Sequence, residues 1–212
     1  MSEFIDLSHT IEENMPVYPG TPSVEIKKFA QIEKEGFREY FLNLSTHSGT
    51  HVEVEAHVIQ DGRTMNDYGL DHFYGSAIAI DCSKYKLIET ELLHECLKYI
   101  DLPDFLLFAT GWDKYWGNED YYKQYPVLST EAARYLSELP LKGLGIDSVS
   151  FDAFNNNKLS NHKILLKEGL ILIENLQRLN RIVGRNIVFT CFPLKLRNSD
   201  SSPVRACAII QN

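Results

Sequence analysis

The chain has 212 residues, of which 44% are hydrophobic and 24% are charged, and these ordinary values exclude a disordered or a fibrous protein. The length lies within the range of one hydrophobic core, so we expect a single domain over residues 1–212. Lysine and arginine number 21 against 29 aspartates and glutamates, which gives a net charge of −8. Because nucleic-acid binding depends on clustered basic residues that release phosphate counterions, it is not expected here.

The sequence shows neither a membrane span nor a secretion signal. Its longest apolar stretches, residues 105–109 and 170–173, are far shorter than the ~20 residues that cross a bilayer. Residues 1–6 lack the basic flank and apolar run of a signal peptide. Four cysteines, at positions 82, 96, 191 and 207, show no Cys-x-x-Cys spacing, which favours reduced thiols over disulfides or a zinc–thiolate site. We therefore expect a cytoplasmic protein.

Strand and helix patterns alternate along the chain after a proline-rich loop at residues 14–22. Strands are predicted at residues 24–30, 39–46, 78–81, 105–110, 145–149, 171–174, 186–191 and 206–210. Helices are predicted at residues 92–100, 130–139, 160–167 and 175–182, with Ser129 or Thr130 capping the second and Gly169 ending the third. This mixture predicts an α/β fold with a mixed sheet or partial barrel flanked by helices.

Three of the seven histidines lie within eleven residues, at positions 47, 51 and 57. Imidazoles together with a carboxylate are a common ligand set of zinc and similar divalent ions, and His47, His51 and Glu53 would supply three such ligands. Histidines in a turn rich in serine and threonine often only bond to the backbone. The spacing alone therefore leaves metal binding and a structural role both open.

The geometry of this stretch requires a bend. On a straight strand with ~3.3 Å per residue, His47 and His51 would lie ~13 Å apart, too far to share one ion. Gly49 is where a bend costs least, because it adopts a positive φ without a Cβ clash. After His51, an extended chain would place Glu53, Glu55 and His57 on one face with it, since side chains alternate along a strand.

Residues His47–His57 resemble the His-x-Gly-Thr-His-x-Asp-x-Pro-x-His signature of the cyclase-like metal-dependent hydrolases, a family that includes bacterial kynurenine formamidase and isatin hydrolase. Six further segments resemble family landmarks in the expected order, so that the resemblance covers essentially the whole chain. They are Asp6–His9, Met15–Pro22, Thr110–Trp112, Gly145–Ser150, Glu174–Leu176 and Pro203–Ala206. The resemblance implies a single domain of the swivelling β/β/α type.

The family pattern also implies site residues. His47, His51 and Glu53 would hold one metal ion, and His162 and Glu174, twelve residues apart, would hold a second ion together with the shared carboxylate. The resemblance therefore implies one or two divalent ions, and a set of histidines and carboxylates accepts zinc or manganese.

The implied reaction is hydrolysis of a small amide, lactam or ester, as in an arylformamidase, which cleaves C–N bonds other than peptide bonds. A divalent ion lowers the pKa of bound water from about 15.7 toward ~7 and polarises a carbonyl group. The resemblance assigns proton transfer to His57, and histidine suits this role because its unperturbed pKa is ~6.5. A small-molecule substrate and a homodimer or homotetramer are also implied.

Three departures from the family pattern leave alternatives open. Glu53 replaces an aspartate, Glu55 replaces a proline and is expected to add a second carboxylate beside the site, and Tyr18 stands where many members have tryptophan. A catalytically silent member that binds a small molecule is one alternative. A cyclase or lyase that uses the same metal site is another.

Two further features have open or structural interpretations. The aromatic segment at residues 112–122 is consistent with a substrate lid, an oligomer contact or ordinary packing. His9 is interpreted as structural or close to the pocket, and His72 and His94 as surface residues.

Overall fold

The computed structural model describes residues 2–210 and contains thirteen strands and four α-helices within them. The strands are β1 (Glu3–Asp6), β2 (Glu25–Ala30), β3 (Glu39–Asn43), β4 (His51–Glu53), β5 (Tyr74–Asp81), β6 (Leu87–Ile88), β7 (Phe105–Ala109), β8 (Val127–Leu128), β9 (Gly143–Ile146), β10 (Ile171–Glu174), β11 (Ile187–Thr190), β12 (Ser201–Pro203) and β13 (Cys207–Ile210). The α-helices are α1 (Ile32–Glu35), α2 (Thr90–Leu97), α3 (Thr130–Ser137) and α4 (Ser160–Lys167). Short 3₁₀ helices lie at Glu55–His57, Met65–Asp67, Leu70–Phe73, Trp112–Tyr115, Glu119–Tyr122 and Leu179–Arg181.

Nine strands form one mixed sheet in the order β1-β13-β11-β5-β7-β9-β10-β4-β12. The four central strands, β5, β7, β9 and β10, run parallel, while the strands on both sides pair antiparallel. The predicted α/β fold with a mixed sheet is therefore confirmed. The parallel strands end at one common edge, which brings the loops that follow them close together.

Both faces of the central strands are buried, which explains why their sequences hardly alternate. In β7, Phe105 and Leu107 pack into one hydrophobic core, while Leu106 and Phe108 pack into a second core that includes residues of helices α2, α3 and α4. Strand residues that point to opposite faces thus join two separate cores, as the two-residue period of a strand requires.

The start of α3 and the end of α4 follow the capping rules. Ser129, not Thr130, caps α3, because its Oγ accepts a hydrogen bond from the Ala132 N–H at 3.0 Å. Gly169 has φ +83° just after α4, which confirms it as the residue that ends this helix.

The predicted helix at residues 175–182 is wrong. Asn175 and Arg178 have φ of 54° and 59°, in the left-handed region, and only Leu179–Arg181 forms a 3₁₀ turn. The backbone N–H groups of Asn175 and Gln177 donate to Ser148 and Leu7, so this segment bonds to distant parts of the chain instead of to itself. These long-range bonds outweigh its local helical pattern.

A separate two-stranded sheet projects from the domain. Strands β2 and β3 pair only with each other among the described residues, and α1 connects them. We call residues 25–43 the hairpin arm. Every residue of β3 is exposed, and large apolar side chains of the arm stand in solvent; they are Phe29, Ile32, Phe37, Tyr40, Phe41 and Leu42. The predicted strand 39–46 stops at Asn43.

The lengths of the helices and the state of the cysteines bear on the class of protein. The helices within residues 2–210 are too short and too polar for a bilayer crossing. All four cysteines are unpaired: Cys82 and Cys191 are buried, and Cys96 and Cys207 are partly buried.

Candidate metal centre

Strand β4 forms the floor of the main cavity and carries two of the predicted ligands. It lies between β10 and β12, with His51 opposite Glu174 and Glu53 opposite Ser201. Just before it, Gly49 has φ +67°, so the predicted bend is confirmed. This bend brings His47 back over the strand, where its Nδ1 lies 2.7 Å from Glu53 Oε1.

The start of α4 places His162 over the same floor. The Asp152 carboxylate accepts hydrogen bonds from the backbone N–H groups of Asn161 and His162, both at 3.0 Å. A carboxylate in this position satisfies donors that the first helical turn leaves free and interacts favourably with the helix dipole. Asp152 Oδ2 also lies 2.7 Å from His162 Nδ1, which fixes the direction of the imidazole ring.

Glu53 lies at the centre of the cluster. Its Oε1 is 2.7 Å from His47 Nδ1 and 3.2 Å from His51 Nε2, and its Oε2 is 3.1 Å from His162 Nε2. His162 Nε2 is also 3.1 Å from Glu174 Oε1. All five side chains line a cavity of about 400 Å³. The structure thus brings together all five predicted ligands, although His162 and Glu174 are far in sequence from His47, His51 and Glu53.

The hydrogen bonds of the rings show what this site can hold. His51 Nδ1 donates to the Gly49 carbonyl at 2.9 Å, and His162 Nδ1 donates to Asp152. When these rings are neutral, both Nε2 atoms therefore carry lone pairs, and both face carboxylate oxygens. Glu53 Oε2 is buried without a well-aligned hydrogen-bond donor. Because buried acceptors that face each other repel, a cation between them fits this donor set.

In the absence of a metal, the same arrangement attracts protons. Burial lowers the pKa of His47, but hydrogen bonds to Asp200 and Glu53 raise it overall to about 10. Burial likewise lowers the pKa of His162, yet the facing carboxylates, Glu53 foremost, hold it well above the ordinary value. For Glu53, burial raises the pKa, and the charges of His57 and His162 hold it well below its usual range. Without a metal, the carboxylates therefore favour the protonated forms of His47 and His162.

Two carboxylates of the site are not predicted by the sequence pattern. Asp152 orients His162, and Asp200 Oδ2 lies 2.8 Å from His47 Nε2 and 3.1 Å from His57 Nδ1. Each aspartate lies near a segment that resembles a family landmark, at residues 145–150 and 203–206. Nothing in the local sequence pattern shows that either side chain points to a histidine.

The expected position of Glu55 is wrong. Strand β4 ends at Glu53, and residues 55–57 form a 3₁₀ turn, so the strand alternation does not continue. Glu55 turns away from the cavity, where its Oε1 accepts hydrogen bonds from Arg63 Nε at 2.9 Å and Nη2 at 2.6 Å. It adds no second carboxylate to the wall, whereas His57 does line the cavity.

Aromatic side chains form the upper wall of the cavity. Tyr18 contributes from the proline-rich loop, and Trp116, Tyr122 and Tyr125 contribute from the aromatic segment and just beyond it. His9 stacks on Trp116 with ring centroids 3.9 Å apart, and burial lowers its pKa to about 4, so the ring is neutral. The segment therefore packs against the domain and also lines the cavity.

A family model described as "Putative cyclase" matches residues 5–153 of the chain. The chain belongs to this family. Among similar proteins, an uncharacterized protein of Methanocaldococcus jannaschii is 31% identical over 98% of this chain and 100% of its own length. A kynurenine formamidase of Geobacillus thermodenitrificans is 30% identical, and one of Bacillus cereus is 29% identical. Both alignments cover 97% of this cyclase-family chain. They cover 97% of the Geobacillus protein and 96% of the Bacillus protein.

Solved structures support the same fold. An isatin hydrolase bound to the product analogue thioisatinate superposes with a TM-score of 0.89, at 23% identity, over 100% of this chain and 93% of its own. A potential metal-dependent hydrolase with cyclase activity superposes with a TM-score of 0.82, at 25% identity, over the full length of both chains. The family resemblance inferred from the sequence is therefore confirmed.

Proposed function

We propose that the protein is a metal-dependent hydrolase that cleaves the C–N bond of a small amide or lactam, or the acyl C–O bond of a related ester. The observation that carries this proposal is the buried convergence of His51, His162, Glu53 and Glu174 at the floor of the cavity. Relatives called kynurenine formamidases, aligned over nearly the whole chain, support an amide substrate.

Two overlapping ligand sets account for one or two ions per chain. In this proposal His47, His51 and Glu53 would hold the first ion, and His162 and Glu174 would hold the second with the shared Glu53 carboxylate; the short distances among these side chains support it. Imidazole and carboxylate ligands suit zinc or manganese. A bound divalent ion would supply a Lewis acid that polarises the substrate carbonyl and lowers the pKa of water.

Other residues of the chain would provide proton transfer and the shape of the substrate cavity. His57 lines the cavity, and its Nε2 is 3.8 Å from Glu53 Oε1, beside the predicted ligands. In this proposal it would pass a proton from water to the leaving group. The cavity of about 400 Å³ suits a small molecule, and Tyr18, Trp116 and Tyr122 offer flat surfaces for a planar group.

The geometry weakens the case for a silent binding protein. The longer arm of Glu53 still reaches three histidines, and Glu55 lies outside the cavity. Both departures from the family pattern that motivated this alternative thus leave the floor intact. A cyclase or lyase on the same site is distinguished by its product, because only hydrolysis adds the mass of one water.

We further propose a homodimer or homotetramer in which the hairpin arm contacts a second copy of the chain. A two-stranded hairpin is marginally stable alone, and exposed apolar patches of this kind mark interfaces. The arm carries four basic and four acidic residues, so two copies can meet without the repulsion expected from the net charge of −8. A cytoplasmic location is also proposed, since unpaired cysteines suit a reducing compartment.

The first experiment measures metal per chain by elemental mass spectrometry and tests a panel of aryl formamides, lactams and esters with product masses. One or two equivalents of metal are expected. A lactam should give a single product heavier by one water, and a formamide or an open-chain ester should give two products whose masses add up to the substrate plus one water. Glu174→Ala should lose one equivalent if two ions bind. A protein that takes up neither zinc nor manganese and converts no member of the panel would contradict the proposal.

A further inference from the structure

The main chain of Asp200 is fixed beside β4, the strand that forms the floor of the cavity. Asp200 directly precedes β12, in which Ser201 lies opposite Glu53 of β4. The Asp200 carbonyl also accepts a hydrogen bond from the Val54 N–H at 3.0 Å. These backbone bonds do not involve the Asp200 side chain, so its replacement should leave the strand pairing in place.

One oxygen of this side chain contacts two histidines. Asp200 Oδ2 is 2.8 Å from His47 Nε2 and 3.1 Å from His57 Nδ1. Because a carboxylate only accepts hydrogen bonds, each of these ring nitrogens carries a proton. The opposite nitrogens, His47 Nδ1 and His57 Nε2, are then the atoms that face the Glu53 carboxylate, at 2.7 Å and 3.8 Å.

We propose that Asp200 is a positioning residue that sets the tautomers of His47 and His57 together. It directs the lone pair of His47 Nδ1 toward the cation position and keeps His57 Nε2 free to accept a proton inside the cavity. The role of His57 in turnover rests on the proposed function, but the tautomer itself does not. Asp200 thus repeats for His47 what Asp152 does for His162.

Asp200 Oδ2, which contacts both histidines, favours one particular tautomer of His57. A neutral histidine ring in water favours the proton on Nε2, so the Nδ1–H form of His57 needs an acceptor to hold it. Asp200 is placed to provide that acceptor, with its side chain 35% exposed against 22% for the His57 side chain. Outer partners of ligand histidines typically change metal affinity or activity by about 10–100-fold.

The test combines nitrogen NMR of the histidine rings with zinc titration. Protein labelled with ¹⁵N at histidine and loaded with zinc is compared for the wild type, Asp200→Ala and Asp200→Asn. We expect the Nδ1–H form of His57 in the wild type, a shift toward Nε2–H in Asp200→Ala, and a zinc dissociation constant that rises about 10–100-fold. Asp200→Asn keeps an acceptor oxygen, so it should retain the wild-type tautomer with a smaller loss of zinc affinity.

Asp104→Ala is the matched control. The Asp104 side chain is 34% exposed and also hydrogen-bonded, but it precedes β7 at the opposite end of the parallel strands from Glu174. This variant should keep both the His57 tautomer and the zinc affinity. An unchanged tautomer in Asp200→Ala, or wild-type zinc affinity in both Asp200 variants, overturns the inference. A wild type that converts no amide but shows the Asp200-dependent tautomer contradicts the proposed function and supports this inference.

Discussion

The cavity floor and the hairpin arm depart from the usual distribution of side chains in opposite directions. On the floor, His162 and Glu174 are 1% and 4% exposed although both are titratable. On the arm, Phe29 and Phe41 are 72% and 61% exposed although both are apolar. Buried charges require partners of opposite charge, and exposed apolar patches indicate contact surfaces. The comparison supports the proposed cation at the floor and the proposed contact of the arm with a second copy of the chain.

Among the changes that test the difference between floor and arm, replacing the central carboxylate, Glu53, should have the largest effect on the protein. Glu53→Gln removes the charge that faces His47, His51 and His162 while keeping the shape of the side chain. We expect loss of bound metal and a fall in kcat of more than about 100-fold, because a direct ligand should matter more than outer partners do. Elemental analysis and steady-state kinetics measure both effects. Wild-type metal content in this variant would refute the central role of Glu53.

Removal of the metal should make the free energy of unfolding of the protein depend on pH through the histidines of the floor. The pKa of His47 in the folded metal-free protein is raised from 6.5 to about 10, so the folded state binds this proton more tightly than the unfolded state. Its stabilising contribution is complete below pH 6.5 and is lost as the pH rises through about 10. Across this window we expect the Tm of the metal-free protein to fall by at least ~2–4 °C, about 1 kcal/mol for this chain length.

Thermal unfolding with zinc or with a chelator measures this effect. The zinc-loaded protein should lose less stability than the metal-free protein, because the cation takes the place of the proton. His47→Gln should reduce the dependence in the metal-free protein. A metal-free Tm that rises over this pH range would contradict the assignment.

The hairpin arm provides the corresponding test for a protein partner. Phe41→Arg places a charge in the exposed apolar patch of β3 and should raise the dissociation constant of the homo-oligomer at least about tenfold, or ~1.4 kcal/mol. Sedimentation equilibrium measures the change. Tyr99→Arg is the control, since Tyr99 is 84% exposed but lies just beyond α2, outside the arm. Equal effects of both substitutions, or a monomeric wild type, would count against the arm as an interface.

The two regions also differ in how far the sequence predicts them. On the floor, the bend at Gly49 follows from the spacing of His47 and His51, and the positions of His162 and Glu174 follow from the family resemblance. The contact between Asp200 and His57 joins residues 143 positions apart, so only the sheet order reveals it. Local patterns carry no information about such a contact.

For the arm, residue patterns predict both strands but not their separation from the main sheet. Apolar residues in β2 and β3 indicate that these strands have a surface that packs against other residues. They do not show which residues those are. The mistaken helix at residues 175–182 has a related cause, since Asn175 and Gln177 bond to residues far away in the sequence. In each case the deciding interactions are long-range.

Replacing Glu55 should have the smallest effect, and it tests whether residue 55 lies outside the metal site. Val54 before it is extended, with φ −130° and ψ 176°, and Glu55 begins a 3₁₀ helix, a setting that accepts proline. Glu55→Pro loses the ion pair with Arg63, whose side chain is 47% exposed, and the hydrogen bond from the Arg63 backbone N–H to Glu55 Oε2 at 3.0 Å. Both lie at a partly exposed site, so the free energy of unfolding should change by about 1 kcal/mol. Metal content and kcat should stay at the wild-type level, and Arg63→Gln, which loses the ion pair but keeps the backbone donor, should lose no more stability than Glu55→Pro. Loss of metal in Glu55→Pro but not in Arg63→Gln would place Glu55 within the site, against the direction in which its carboxylate points.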